Sequence, residues 1–203
     1  MKWALVLACA GSLWAADGAR LFYSKAFPGS VPPYMQVIVE PGGAVEYREA
    51  EGEAPMKFKL TDSETQAVFG LADTLEHFKN PLESGLKVAF MGKKTFRYEN
   101  GTEKLQQEFN YSAELPAQQL LDWFEKMAES AQRRIELETA AKYDRLGVDK
   151  ALRTLWIAID KKRVVGLEQY LPMLDRIVNN ESYMHTARAK AAEMAEGIRA
   201  GKL

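Results

Sequence analysis

The sequence has few of the residues that carry thiol and metal chemistry. Its 203 residues include one cysteine, Cys9, and two histidines, His77 and His185. A chain cleaved after Ala16 would keep no cysteine, which excludes disulfides, thiolate nucleophiles and cysteine-ligated zinc. The histidines lie far apart and outside a His-Glu-x-x-His spacing, so neither a metal site nor a cofactor is predicted.

The chain also lacks an excess of charge of either sign. Lysine and arginine number 27 against 28 acidic residues, for a formal net charge of -1. Such a balance provides no basic surface for nucleic acid, so a nucleic-acid partner is not expected. A hydrophobic content of 47% with 27% charged residues is typical of a globular protein and disfavours disorder.

The first sixteen residues have the three-part layout of a secretory signal peptide. Lys2 precedes an uncharged run, which ends in small residues before the polar Asp17. The run spans about 14 residues and is shorter than the roughly 20 that cross a bilayer, so no transmembrane segment is expected; a buried strand or helix is the alternative. We predict a signal peptide over residues 1–16, cleavage after Ala15 or Ala16, and a secreted or periplasmic location.

Lipid anchoring through Cys9 is a minor alternative to simple cleavage. Val6-Leu7-Ala8-Cys9 loosely matches the sequence that precedes a lipid-modified bacterial cysteine. Against it, the apolar stretch ahead of Cys9 is shorter than the usual seven to fifteen or so residues of such a segment.

Residues 17–115 are predicted to form an α+β sheet domain. Tyr34–Glu40 and Ala44–Ala50 alternate around a glycine-containing turn, which indicates a hairpin. Met56–Leu60 predicts a further strand. Asn100-Gly101 is the predicted two-residue turn of a second hairpin.

A helix is predicted over residues 62–77. Thr61 and Glu64 have the spacing of a capping box, which marks the N-terminus of this helix. Apolar residues then recur at helical spacing to give one face that packs on the sheet: Val68, Ala72, Leu75 and Phe78.

Residues 116–203 are predicted to be all-helical, with a first long helix that packs on the sheet. This helix starts near Pro116 and extends to Tyr143. Its apolar stripe consists of Leu120, Phe124, Met127, Ala131 and Ile135. Three shorter helices are expected over residues 148–161, 167–179 and 181–200. The fold class is therefore α+β, an antiparallel sheet of hairpins covered by helices and followed by a helical C-terminal region.

The first half of the chain resembles a family of uncharacterised bacterial exported domains. The resemblance rests on Pro32-Pro33-Tyr34 through Gly43, then Val45-Glu46-Tyr47, a strand and a capped helix. Members of that family carry cysteines ahead of the proline, where this chain has Gly29-Ser30-Val31. The resemblance implies export and brings no established activity.

Two short patterns suggest chemistry without completing it. Ser84-Gly85-Leu86-Lys87 has the serine–lysine spacing of penicillin-interacting enzymes, but falls in a predicted turn and lacks the partner motifs. His185 follows Glu181 by one helical turn, so a carboxylate could orient it. A chance match and a surface histidine are the preferred interpretations.

Clustered acids and strand aromatics are two further candidates. Glu46, Glu49, Glu51 and Glu53 could gather calcium, but they lack the spacing of a calcium loop. The strand aromatics could form a binding face, although packing beneath a helix is the preferred interpretation. These are Tyr34, Tyr47, Phe58, Phe96, Tyr98, Phe109 and Tyr111.

The sequence thus predicts an exported, non-enzymatic protein that binds an unknown protein or small molecule. The absence of a recognisable catalytic constellation is the main support. A carboxylate-dependent hydrolase that acts outside the cytoplasm is the alternative, although no acid pair can be selected from the sequence. Two acids in one deep pocket would favour the hydrolase, whereas an exposed apolar patch would favour binding.

Overall fold

The predicted α+β fold is confirmed by the computed structural model, which describes residues 18–203. This part of the chain forms a six-stranded antiparallel sheet and five α-helices, the last of which are C-terminal. None of these helices has both the length and the apolar character of a membrane-spanning helix. The predicted signal peptide and Cys9 lie outside the described residues.

The sheet has the spatial order β4-β3-β2-β1-β5-β6. Its strands are β1 (Arg20–Ala26), β2 (Tyr34–Val39), β3 (Ala44–Arg48), β4 (Met56–Lys59), β5 (Lys93–Asn100) and β6 (Glu103–Phe109). The first strand thus lies inside the sheet, with β2 on one side and β5 on the other. The alternation Leu21, Tyr23 places both side chains, each fully buried, on the covered face.

Five α-helices and two short turns complete the described fold. The helices are α1 (Asp62–Thr74), α2 (Leu115–Tyr143), α3 (Val148–Asp160), α4 (Leu171–Val178) and α5 (His185–Arg199). A short helical turn at Leu167–Tyr170 leads into α4, which begins at Leu171 and carries Pro172 in its first turn, where a missing backbone N–H is tolerated. The capping box of α1 is present, since Glu64 N donates to Thr61 Oγ1 and Glu64 Oε2 accepts from Thr61 N.

Two apolar clusters share helix α2. The N-terminal part of α2 packs on the sheet through Leu120 and Phe124, together with α1. Its C-terminal part contributes Leu137 to a second cluster formed with α3, α4 and α5. The helix has 29 residues, so it extends for about 43 Å. It therefore belongs to both clusters.

A buried hydrogen-bond group joins α2 to the chain that follows α3. Ser130 Oγ accepts a hydrogen bond from Val165 N at 2.8 Å, and Tyr170 Oη donates to Ser130 O at 2.7 Å. Next to it, Gly166 N donates to Glu64 Oε1 at 3.1 Å. Because Glu64 also caps α1, this carboxylate connects the sheet cluster to the helical region.

Several predicted boundaries were wrong. Asn100 pairs with Glu103, so the turn of the second hairpin is Gly101-Thr102 rather than Asn100-Gly101. Glycine at the first central position supplies the positive φ (58°) that this turn needs. Helix α1 ends at Thr74, three residues before the predicted end, because Glu76 to Phe78 adopt left-handed backbone angles.

Two helical predictions also need correction in the C-terminal half. Helix α5 begins at His185 instead of Glu181, because residues 180–184 form a turn. Ile135 is 36% exposed, and Leu137 is the buried residue that continues the apolar stripe. The buried face of α2 therefore turns from the sheet toward the second cluster along the helix. A prediction that follows one helical face from end to end does not include this turn.

The uncovered face of the sheet is charged and internally paired. Arg97 lies over the ring of Phe22 at 3.9 Å, and its Nε is 3.0 Å from Glu99 Oε1. Glu46 contacts Lys57 at 2.7 Å and Arg48 at 3.0 Å. These contacts lower the pKa of Glu46, chiefly through the hydrogen bond from Lys57. This face is a solvated array of ion pairs.

Candidate functional site

An apolar pocket lies between the start of α2 and the irregular segment that precedes β5. We call it the loop pocket; its volume is about 590 Å³, within the range that holds small organic ligands. Its apolar lining consists of Val88, Ala89, Met91, Phe109, Ala117 and Leu121. Three charged side chains also line it, Lys25, Lys94 and Glu125.

The segment that covers the loop pocket presents apolar side chains to solvent. Residues 79–92 contain no regular helix or strand. Leu86, Val88, Phe90 and Met91 are between 44% and 60% exposed. Phe90 packs edge-on against Phe27 at 6.0 Å. An exposed apolar group beside an apolar pocket is a typical feature of a binding site.

Asn110 and Glu83 hold this segment in place. Asn110 Oδ1 accepts a hydrogen bond from Met91 N at 2.8 Å, and Asn110 Nδ2 donates to Ala89 O at 3.1 Å. Glu83 Oε2 accepts from Asn110 N at 2.6 Å, and this bond is the main reason that the pKa of Glu83 is lowered. The pocket wall is therefore attached to the end of β6 by specific polar contacts.

Lys94 is a buried cation in the wall of the loop pocket. The alternation of β5 places it on the covered face with Phe96 and Tyr98, and only 5% of its surface is exposed. Its Nζ donates to Asn110 O at 2.7 Å, with longer contacts of 3.5 Å to Met91 O and Gly92 O. Burial, with the nearby charge of Lys25, lowers the pKa of Lys94.

Lys25 faces Lys94 across the β1–β5 pair. The two residues are direct partners in the antiparallel register. Glu125 of α2 is the acid nearest to this pair in the pocket lining, with Oε1 at 3.7 Å from Lys25 Nζ. Nearby, burial raises the pKa of Tyr23, and Glu125 adds to the increase. Among the described residues the Tyr23 hydroxyl has no hydrogen-bond partner.

A smaller cavity of about 250 Å³ adjoins the first through Lys25 and Glu125, which line both. It also contains Glu129, so two acids share its lining. Each acid contacts a cation: Glu129 Oε2 lies 2.6 Å from Arg163 Nε, and Glu125 pairs with Lys25. A further cavity of about 640 Å³ beside β4 is lined largely by polar side chains.

The structure separates the two histidines. His77 stacks on Tyr98 with ring centroids 4.0 Å apart, and its Nε2 lies 2.8 Å from Asp73 Oδ1. His185 is exposed at the first position of α5, and Glu181 precedes that helix rather than sharing a face with it. Neither histidine lines the loop pocket.

The serine–lysine pattern falls in an irregular segment. Ser84 Oγ accepts a hydrogen bond from Leu86 N at 3.2 Å, and Lys87 is exposed. The four acids of the hairpin are dispersed as well. Glu49 accepts from Tyr47 Oη at 2.8 Å, while Glu51 and Glu53 are exposed. The described residues contain no group of three or more potential metal ligands.

Most of the strand aromatics belong to the core. Those that are buried are Tyr47, Phe58, Phe96, Tyr98 and Phe109. Tyr34 is partly buried, and Tyr111, beyond the end of β6, is 39% exposed and lines the loop pocket. Packing beneath helices is therefore the main role of these residues, and only Phe109 and Tyr111 of the set border the pocket.

Lys25, Lys94 and Glu125 are the site residues that the sequence analysis missed. The parity of Phe96 and Tyr98 did contain a signal, because it places Lys94 on the buried face of the same strand. A lysine at a core position is unusual and indicates a special environment.

No protein-family model matches the chain, and no curated protein aligns with it significantly.

Proposed function

We propose that the protein is a non-enzymatic binding protein whose loop pocket takes a small apolar molecule. The observation that carries this proposal is a cavity of about 590 Å³ whose lining is mainly apolar and whose covering segment exposes further apolar side chains. Among the described residues, the only acid in the lining of this cavity is Glu125. A pocket with one cation-paired acid suits binding better than acid–base hydrolysis.

A neutral, environment-sensitive dye such as N-phenyl-1-naphthylamine tests this proposal. We expect saturable enhancement of its fluorescence by the full chain. Val88→Asp should weaken dye binding by about tenfold, because a carboxylate in an apolar pocket must be desolvated when the ligand binds.

Leu86→Asp is the matched control, because Leu86 is also an exposed apolar residue of the same segment (60% against 44% for Val88) but does not line the pocket. We expect its dye affinity to equal that of the unmodified chain. Dye binding that does not saturate, or that falls equally in both variants, would contradict the proposal.

We further propose that this binding takes place outside the cytoplasm, after removal of residues 1–16. The support is the layout of Lys2, the uncharged run and the small residues before Asp17. Mass spectrometry of the protein from its own cells should find a mature N-terminus at Ala16 or Asp17. An added diacyl mass on Cys9 would replace cleavage by lipid anchoring, and an intact Met1 would contradict both.

A hydrolase that uses Glu125 and Glu129 is the second candidate. One observation favours it, namely that both acids line the same cavity of about 250 Å³. Against it, each acid contacts a cation, which favours the ionised form, whereas a general acid has to carry a proton. Hydrolysis of chromogenic esters or glycosides that is lost in both Glu125→Gln and Glu129→Gln would establish this candidate in place of the first.

A further inference from the structure

The charges of the loop pocket are unbalanced toward the positive. Lys25 and Lys94 occupy directly opposed positions of β1 and β5, where like charges repel. Of the residues that the structure describes, Glu125 is the one acid in the lining, and its contact with Lys25 is 3.7 Å long. These residues therefore give the pocket two cations for one anion within a largely apolar wall.

Lys94 retains hydrogen-bonding capacity. An ammonium group has three donors, and one of them forms a hydrogen bond of normal length, 2.7 Å, to Asn110 O. The other two contacts, to Met91 O and Gly92 O, are 3.5 Å long and exceed the distance of an ordinary hydrogen bond. An oxygen anion in the pocket could accept a shorter bond from the same nitrogen.

The position of Lys94 is also unfavourable for the empty protein. Burial removes water from its charge, and Lys25 adds repulsion; both effects lower the pKa of Lys94. An apolar residue would fill this site on β5 without either penalty. A charged residue kept where it destabilises the fold is characteristic of a binding site.

We propose that the ligand of the loop pocket is a small amphipathic carboxylate, with its apolar chain against Val88, Met91 and Leu121 and its carboxylate bound by Lys25 and Lys94. This inference rests on the proposed binding function and names the class of ligand. The carboxylate would neutralise the excess positive charge and accept charge-assisted hydrogen bonds, which are the stronger kind.

Three ligands with the same chain and different head groups test the proposal: decanoate, decanol and decylammonium. Binding to the full chain is measured by calorimetry and by displacement of the neutral dye. We expect decanoate to bind at least about tenfold more tightly than decanol, and decylammonium more weakly than either.

Lys25→Gln should reduce the affinity for decanoate by about tenfold and leave that for decanol unchanged, while Lys25→Arg should retain the preference. Lys93→Gln is the matched control, because Lys93 is exposed on the other face and pairs with Glu108. It changes the net charge equally, so its decanoate affinity should be unaltered. Thermal unfolding of each variant verifies that it is folded.

The proposal also has a pH dependence. The charged groups that act on Lys94 are Lys25, Glu125 and Glu83, and the titratable hydroxyl of Tyr23 lies near Glu125. The pKa of Lys94 is lower than that of an ordinary lysine. Decanoate stays ionised from neutral to alkaline pH, so its affinity should fall as the pH rises through that pKa and Lys94 loses its charge. The affinity for decanol should stay constant over the same range.

The outcomes separate the two proposals. Equal affinities for decanoate and decanol would overturn the carboxylate proposal and leave the apolar pocket intact. A loss of decanoate binding in Lys93→Gln as large as in Lys25→Gln would overturn it too, since the preference would then reflect net charge alone. If neither ligand binds, the proposed binding function fails as well.

Discussion

At the scale of single residues, the turn after α1 is the most unusual backbone feature. Glu76, His77 and Phe78 have φ values of 48°, 53° and 69°, a left-handed conformation that L-residues with a Cβ disfavour by roughly 1–2 kcal/mol each. The turn places Phe78 in the core and stacks His77 on Tyr98. These contacts, and the bond from Gln107 Nε2 to Phe78 O, offset the strain.

Glu76→Gly should increase the free energy of unfolding by about 0.5–1 kcal/mol. Glu76 is exposed and left-handed, so glycine relieves its steric strain, although glycine also gains freedom in the unfolded chain. Glu76→Ala is the control, since it removes the same side chain and keeps a Cβ. Urea denaturation measures both; an equal increase for alanine would attribute the effect to lost charge rather than to backbone strain.

Apolar periodicity in the sequence predicted correctly which residues are buried. It did not predict conformations that depend on contacts between residues distant in sequence. All four residues of the predicted apolar stripe, Val68, Ala72, Leu75 and Phe78, are buried, although the last two lie beyond the end of α1. The left-handed turn was missed, because none of its three residues is glycine and its stability comes from distant partners such as Gln107. Lys94 was missed because its role depends on Lys25, which is remote in sequence.

At the scale of elements, the chain that enters α4 lies directly against the backbone of the sheet at Gly166. It has φ 59°, and a Cβ there would lie 2.6 Å from Lys59 O, the backbone of β4. Its N also donates to Glu64, the residue that caps α1. A residue other than glycine would have to separate β4 from the chain that enters α4.

Gly166→Ala should destabilise the protein by more than about 2 kcal/mol. Gly101→Ala is the matched control, because its φ of 58° is almost the same and nothing lies within 4 Å of the added Cβ. It should therefore cost only the backbone strain, about 1 kcal/mol. Thermal denaturation of the two variants gives the difference; equal losses would show that the contact with Lys59 is unimportant.

Element prediction succeeded for amphipathic segments and failed for β1. Helices α2 and α3 begin and end close to their predicted limits, and β2 to β4 occur where alternation placed them. The strand Arg20–Ala26 was not predicted, because its alternation of Leu21, Tyr23 and Lys25 is short and ends in a charged residue. The pocket could not be predicted without it, since β1 supplies one of the two lysines.

At the scale of the whole molecule, residues 18–203 form two apolar clusters, and helix α2 contributes to both. The buried contacts of Ser130 with Val165 and Tyr170 lie where the clusters meet. If α2 unfolded, apolar surface of both clusters would be exposed. We therefore expect the described region to unfold as a single cooperative unit.

Two tryptophans report on the clusters separately. The predicted mature chain, which starts at Ala16 or Asp17, retains two tryptophans: Trp123, beside the sheet cluster, and Trp156, beside the helical cluster. Trp156→Phe and Trp123→Phe each leave a single tryptophan. In each variant, urea unfolding followed by fluorescence should have the same midpoint as unfolding followed by circular dichroism, which corrects for any change in stability caused by the substitution. Two distinct midpoints within one variant, one by fluorescence and one by circular dichroism, would show independent units.

The strand order has a consequence for the sequence of events during synthesis. A ribosome releases β1 before the other strands; β2 can then pair with β1, β3 with β2 and β4 with β3 as each strand emerges. The other edge of β1 has to wait for β5, and the apolar face has to wait for α2. A nascent chain that ends before Lys93 therefore exposes the open edge of β1, and one that ends before Leu115 leaves the apolar face with Leu21 and Tyr23 uncovered by α2; both states are prone to aggregation. If translation pauses in this interval, a chaperone that binds the exposed edge and apolar face would protect the chain from aggregation.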